Sequence, residues 1–254
     1  MIKKKSQPGS EPAHLFQKLQ SQLADMIAAT PPGERLLTEP ELAQKLGVSR
    51  ATLREAMRSF EGQGLIRRRQ GVGTFVVGHT QVIDTGLEVL ESIEVLARKI
   101  GLDVSLGDLR VRQMNADEWQ AQALNVEPGD NLVEVSRVIV AENRPVAYLV
   151  DLLPENILTP RDLEEGFTGS VLDLLLRRGD PPLNHSSTEI QAVASPADVA
   201  RLLQIQRGDV LLLFTANLYT NSGRVVDVSH SYFLPGYFRF HVVRRVGVSL
   251  PMNS

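Results

Sequence analysis

Cysteine is absent from all 254 residues, which excludes disulfides and thiolate-held metal. Aromatic residues make up only 5%, with a single tryptophan, Trp119. No apolar run approaches the ~20 residues that a membrane-spanning helix needs; Val210-Leu211-Leu212-Leu213-Phe214 is strand-sized. Lys3-Lys4-Lys5 has the charge of an export signal's start, but Ser6-Gln7-Pro8-Gly9-Ser10-Glu11 stands where the apolar core belongs. A cytoplasmic protein with no membrane partner is therefore expected. The five histidines form no H-x-x-x-H pair. There is no G-x-S-x-G elbow, no P-loop and no G-x-G-x-x-G. These absences predict no catalytic residues, no metal site and no cofactor.

Net charge is small, −3, but unevenly spread. Residues 1–79 carry 12 Lys/Arg against 7 Asp/Glu, and residues 80–254 carry 15 against 23. A basic head joined to an acidic remainder fits a polyanion-binding domain attached to something else. The composition, 43% hydrophobic and 22% charged, is that of an ordinary globular chain.

The head reads in order. Residues 1–12, rich in Lys, Ser, Pro and Gly, are expected to be a disordered tail. Leu19, Leu23, Met26 and Ile27 then mark an amphipathic helix, ended by Thr30-Pro31-Pro32-Gly33. Thr38-Glu39-Pro40-Glu41 combines a T-x-x-E capping box with proline in the first turn, so a second helix starts there and stops at Gly47. The turn Gly47-Val48 leads into a third helix capped by Ser49, which makes a helix-turn-helix. On that helix Leu53, Met57 and Phe60 form a core row, and Arg50, Arg54 and Arg58 a second, outward row. Arginines on one face and the hydroxyls of Ser49 and Thr52 at the N-terminus suit a DNA major groove. Next, Leu65-Ile66-Arg67-Arg68-Arg69-Gln70-Gly71-Val72-Gly73-Thr74-Phe75-Val76 predicts a hairpin with a basic tip, a wing that can reach phosphates or the minor groove.

Pro32-Gly33-Glu34-Arg35-Leu36-Leu37-Thr38-Glu39, Val48-Ser49-Arg50-Ala51-Thr52-Leu53-Arg54-Glu55-Ala56 and Gly64-Leu65-Ile66 through Gly71-Val72-Gly73-Thr74-Phe75-Val76 resemble the GntR family of bacterial transcription regulators. The resemblance implies a homodimer on a near-palindromic operator in double-stranded DNA. It implies that Arg50 and Arg54 read bases or nearby phosphates, that Ser49 and Thr52 hold phosphates, and that Gly71 lets the wing tip approach the minor groove. Arg58, Arg69 and Gln70 extend this DNA-binding set. Where the family has Ser-Glu-Arg at the second helix this chain has Thr38-Glu39-Pro40, leaving Arg35 and Lys45 as partial replacements.

Residues 79–87 read as a linker after a DNA-binding domain at 13–78, and residues 88–254 as one further domain. That domain opens with a helix marked by Leu87, Leu90, Ile93, Leu96 and Ile100. It contains a weak repeat: Ala121-x-x-Leu124-x-Val126-x-x-Gly129-Asp130 returns 79 residues later as Ala200-x-x-Leu203-x-Ile205-x-x-Gly208-Asp209. Each copy is a short helix leading into a β-hairpin, 132–153 and 211–234. A helix at 170–178, a strand at 185–194 and a last strand at 238–244 complete it. Two related halves would share one antiparallel sheet with a crevice near their pseudo-two-fold. Trp119 is expected in the core. Arg137, charged among Val133, Val135, Val138 and Val140, must meet either solvent or an anion. Ser170 is either a plain N-cap or a donor to an anionic group. Glu189, His230 and Tyr232 are further polar candidates on strands.

This half resembles the UTRA effector-sensing domain of HutC-like GntR regulators, through Arg137-Val138, Gly169-Ser170-Val171-Leu172-Asp173-Leu174-Leu175 and Ser229-His230-Ser231-Tyr232-Phe233. The resemblance implies an α+β chain: a winged helix-turn-helix, then a chorismate-lyase-like domain with a mainly antiparallel sheet. It also implies a small-molecule effector, often anionic, that changes operator affinity, as in a repressor. A lyase-like enzyme fused to a DNA-binding head is the alternative, and fold alone is no evidence for it.

Overall fold

The computed structural model describes residues 11–62, 65–69, 71–77 and 83–243. In chain order these form α1 (Glu11–Ala29), α2 (Glu39–Leu46), α3 (Arg50–Gly62), β1 (Ile66–Arg69), β2 (Gly73–Val76), β3 (Ile83–Gly86), α4 (Ile93–Lys99), β4 (Val104–Asn115) and α5 (Glu118–Leu124). There follow β5 (Asn131–Ala141), β6 (Arg144–Pro154), α6 (Pro160–Gly166), α7 (Val171–Arg178), β7 (Leu183–Ala194), α8 (Ala197–Leu203), β8 (Val210–Thr220), β9 (Val225–Phe233) and β10 (Phe238–His241). Two compact units result, one of residues 1–80, 192–212 and 234–237, the other of 81–191, 213–233 and 238–254. The tail expected to be disordered lies outside the described residues through Ser10, and α1 already begins at Glu11.

The first unit is built on the helix periodicities. Leu19, Leu23 and Ile27 of α1 meet Leu42 of α2, Leu53, Met57 and Phe60 of α3 and Ile66 of β1 in one core. At the start of α2 the Glu41 carboxylate accepts the Thr38 N–H at 2.8 Å and its hydroxyl at 2.7 Å, satisfying the chain just outside the helix. Gly47 ends α2 at φ 65, where a β-carbon would be strained. The Thr52 N–H then donates to Ser49 Oγ at 3.1 Å, the N-cap expected for α3. β1 and β2 pair antiparallel from Ile66↔Val76 to Arg69↔Gly73, so the wing is present. The same unit holds α8 and the turn after it. There the buried Ser59 hydroxyl of α3 donates to Asp209 Oδ1 at 2.8 Å.

The second unit is organised by a sheet in the order β4-β5-β6-β9-β8-β7. The β5–β6 turn places Glu142 and Asn143 at φ 50 and 62, the left-handed pair that two-residue hairpins favour. Alternation divides the sheet's two faces. Val133, Val135, Leu153 and Leu218 pack on Val171 and Leu175 of α7. Leu132, Leu152 and Val228 pack on Ala121 and Leu124 of α5. The two repeat copies share one local geometry. Asn125 and Gln204 are left-handed at φ 53 and 55, and Asp130 and Asp209 accept the N–H groups of Glu127 and Gln206 at 3.0 and 3.1 Å.

Several expectations need correcting. The linker at 79–87 is a strand at its end: β3 pairs parallel with β10, Ile83↔Phe238 through Gly86↔His241. Gly78–Val82 lie outside the described residues. The helix expected from Leu87 begins only at Ile93, because Ser92 Oγ accepts the Val95 N–H at 3.1 Å and caps it there. Trp119 is 56% exposed rather than core, since α5 starts one residue earlier and buries Ala121 and Leu124 instead. β4 is unexpected: it is an exposed edge strand whose alternation is interrupted where its register slips between Leu106 and Leu109. Gly107 lies in that slip, and a β-carbon on it would crowd Val138 and Val140 of β5. The last strand stops at His241; Arg244 lies outside the described residues.

Candidate functional site

The exposed side of α3 is set by burial of its other side. Leu53, Ala56, Met57 and Phe60 face the core, so Arg50, Arg54 and Arg58 stand in solvent together with Ser49 and Thr52. The two hydroxyls lie 2.8 Å apart, one donating to the other at the helix start. Arg54 Nε donates to Glu39 Oε2 at 2.7 Å, and Arg68 of the wing pairs with the same carboxylate. Glu39 thereby orients a recognition-helix arginine and a wing arginine from the residue before Pro40. Arg58 is held by Glu55 at 3.2 Å. On the wing, the Arg69 guanidinium lies 5.4 Å from the Phe75 ring centroid. Gly71 takes φ 75 at the tip, and the Arg35 side chain fills the space that a β-carbon on Gly73 would need. Gln70 lies outside the described residues.

The second unit contains a cavity of about 510 Å³, within the range of small-molecule sites. One wall is the β5-β6-β9-β8 face, and the N-terminal ends of α4 and α7 contribute Ser92 and Ser170. Register explains the wall: Asp151 stands opposite both Val135 and Ser229, one step along from Arg137 and Asp227 on the same face. Arg137, 4% exposed, forms a buried ion pair through Nη1 with Asp151. Its Nε and Asp227 Oδ1 have no hydrogen-bond partner among the described residues. Burial pushes the Asp227 carboxyl well above the usual aspartate range, and the neighbouring Asp151 charge pushes it the same way. Glu94 of α4 is raised by burial too, and its Oε1 is likewise unpartnered among the described residues. Ser170 Oγ accepts the Asp173 N–H at 3.0 Å, and Ser92 Oγ donates to Asp173 Oδ2 at 2.8 Å, tying α4 to α7.

Of the residues read from the sequence, the cavity gathers Arg137 and Ser170. It does not gather Glu189, which is exposed on β7, nor His230 and Tyr232. Those two pair with Val150 and Tyr148 across β6, on the sheet's other face. The His230 ring stands 6.3 Å from Trp119, and burial lowers its pKa. Sequence reading missed Asp151, Asp227 and Glu94. The first two carried the same signal as Arg137, a charge inside an apolar strand (Tyr148-Leu149-Val150-Asp151-Leu152-Leu153 and Val225-Val226-Asp227-Val228).

A small domain that presents an arginine-faced helix beside a basic wing, followed in the same chain by a domain with an internal cavity, defines a class: DNA-binding regulators that answer to a small molecule. Two family models match in that order, bacterial regulatory proteins of the gntR family over residues 15–76 and the UTRA domain over residues 100–239. The chain belongs to the gntR-family transcription regulators that carry a UTRA domain, and these are regulators rather than enzymes. It is 29% identical over 224 residues to the histidine utilization repressor of Pseudomonas putida, covering 86% of this chain and 87% of that one. It is 24% identical over 231 residues to the HTH-type transcriptional repressor NagR of Bacillus subtilis, covering 90% and 94%. In fold it matches PhnF from Mycobacterium smegmatis with a TM-score of 0.60 at 22% identity, over 90% of this chain and all of that one. Among the described residues no helix is long and apolar enough to cross a membrane.

Proposed function

We propose that the protein is a cytoplasmic, homodimeric repressor that holds a near-palindromic operator through two winged helices and alters its grip when an effector fills the cavity of the second unit. The observation that carries this reading is the cavity itself, with buried polar atoms facing it, in a chain whose other unit exposes Arg50, Arg54 and Arg58 on one helix face. The repressor names of the relatives support the sign of the effect. Ser49 and Thr52 take phosphates at the positive end of α3, and Arg50 and Arg54 meet base edges or adjacent phosphates. Arg58, Arg69, Gln70, Gly71 and Arg35 complete the contact surface along helix and wing. Leu106, Leu109 and Val111 of β4, 37–41% exposed, support a partner copy covering that edge.

The test uses the full chain and an operator selected from randomised duplexes. Arg50→Ala should weaken binding by about 1–3 kcal/mol and relax preference at one base position, measured by fluorescence anisotropy at fixed salt. Unchanged affinity and preference would remove α3 from the groove.

A further inference from the structure

The resemblance to UTRA regulators implies an effector that is often anionic, yet the charges around this cavity have the opposite sense. Its lining carries five carboxylates, Glu88, Glu91, Glu94, Asp151 and Asp227, against one guanidinium, Arg137, and one imidazole, His185. The guanidinium is already committed to Asp151. Glu91 is held by Lys99, and Glu88 accepts the Val243 N–H. Glu94 and Asp227 remain, each with one carboxyl oxygen that has no partner among the described residues. Asp227 is 93% buried, being only 7% exposed, so that oxygen has no route to bulk water except through the cavity.

The helix ends do not reverse this balance. The positive end of α7 is met by Asp173 in its own first turn, and that of α4 by Glu94. A ligand anion placed here would stand beside two or more carboxylates in a low-dielectric site, at a cost several times that in water. A ligand cation would neutralise the wall and allow Glu94 and Asp227 both to ionise. Both feel the charges of Arg137 and Asp151, and Asp173 acts on Glu94 from α7.

Given the reading above that the cavity is the effector site, we propose that the effector carries a positive charge, an ammonium or comparable nitrogen cation, which Glu94 and Asp227 bind. Leu149, Phe214 and Phe233 on the same wall take its apolar part. The Arg137 Nε–H, which has no partner among the described residues, donates to a neutral oxygen on the same molecule.

The experiment measures thermal stabilisation and calorimetric affinity of the full chain with two matched probe sets. These are benzylamine, benzyl alcohol and benzoate, and glucosamine, glucose and glucose 6-phosphate. At least one amine should bind, roughly tenfold or more tightly than its neutral and anionic siblings, because a charge-neutralising pair discriminates by that order or more. Asp227→Asn, which keeps the side chain's shape, should reduce amine affinity at least about tenfold. Glu94→Gln is the second variant, with near-ultraviolet circular dichroism confirming that each is folded. Preference for an anionic sibling, binding of no amine, or unchanged amine affinity in both folded variants would overturn the proposal. Operator binding is measured on the same preparations. Failure to bind any selected duplex would remove the proposed function while leaving the charge preference of the cavity to be read separately.

Discussion

Arg137 is the residue whose meaning changed most between sequence and structure. As a charge in an apolar strand it needed a partner, and the partner is Asp151 across the β5–β6 pairing. A buried pair contributes little net stability, but removing one member leaves the other unpaired in the interior. Arg137→Ala should therefore cost roughly 3–5 kcal/mol in urea unfolding, whereas the double change Arg137→Met with Asp151→Leu should recover most of that loss. A single variant as stable as the parent would show that Asp151 finds another partner. Asp227 makes a second prediction at this scale. Its carboxyl titrates above the ordinary value when folded, so between that value, near 4, and the raised one the folded chain keeps a proton that the unfolded chain has lost. Stability should fall as pH rises through that window and then level off. Glu94 and Asp209 shift in the same direction, so the check is the difference between parent and Asp227→Asn. The variant should show the shallower fall across thermal unfolding at a series of pH values, and identical slopes would contradict the assignment.

Elements were legible where apolar residues recur densely enough to mark a buried side. α1, α2 and α3 carry clean periodicities and bury one side each, and the hairpins of β5–β6 and β8–β9, with β5 and β6 buried on both faces, also lie where the sequence puts them. β4 is exposed along nearly its whole length, and although Val104-Ser105-Leu106 and Leu109-Arg110-Val111-Arg112 alternate, Gly107-Asp108 breaks the alternation where the register slips. α6 escaped notice because it buries only Leu163. The repeat shows how one short motif serves two ends. Both copies close the same Asp-capped turn, but in the second copy Asp209 also accepts the hydroxyl of Ser59 on α3. Since both residues are buried, Ser59→Ala leaves an acceptor without its donor and should destabilise the first unit by about 1–3 kcal/mol. Denaturant midpoints at neutral pH will check this, and an unchanged midpoint would mean that the contact contributes nothing.

For the whole molecule, the proposed dimer makes a geometric prediction. Two heads reading one face of the duplex require half-sites about one turn apart, ~34 Å. Inserting five base pairs between the half-sites rotates one of them by about half a turn. Affinity should then drop by about 2 kcal/mol or more, towards that of a half-site or non-specific duplex. Sedimentation velocity on the free chain should give a dimer, and a monomer that still binds an isolated half-site with full affinity would contradict the model. The sequence by itself determined the winged helix-turn-helix, the two hairpins and the family, because local periodicity, capping residues and turn glycines act over a few residues and are written in order. Tertiary structure alone decided what the cavity is made of. Arg137, Asp151, Asp227 and Glu94 come from four separate elements, and their shared burial and charge balance arise from strand register and helix placement. No local pattern encodes those contacts, so the sequence yielded one of the four residues and the fold supplied the acidic character of the site.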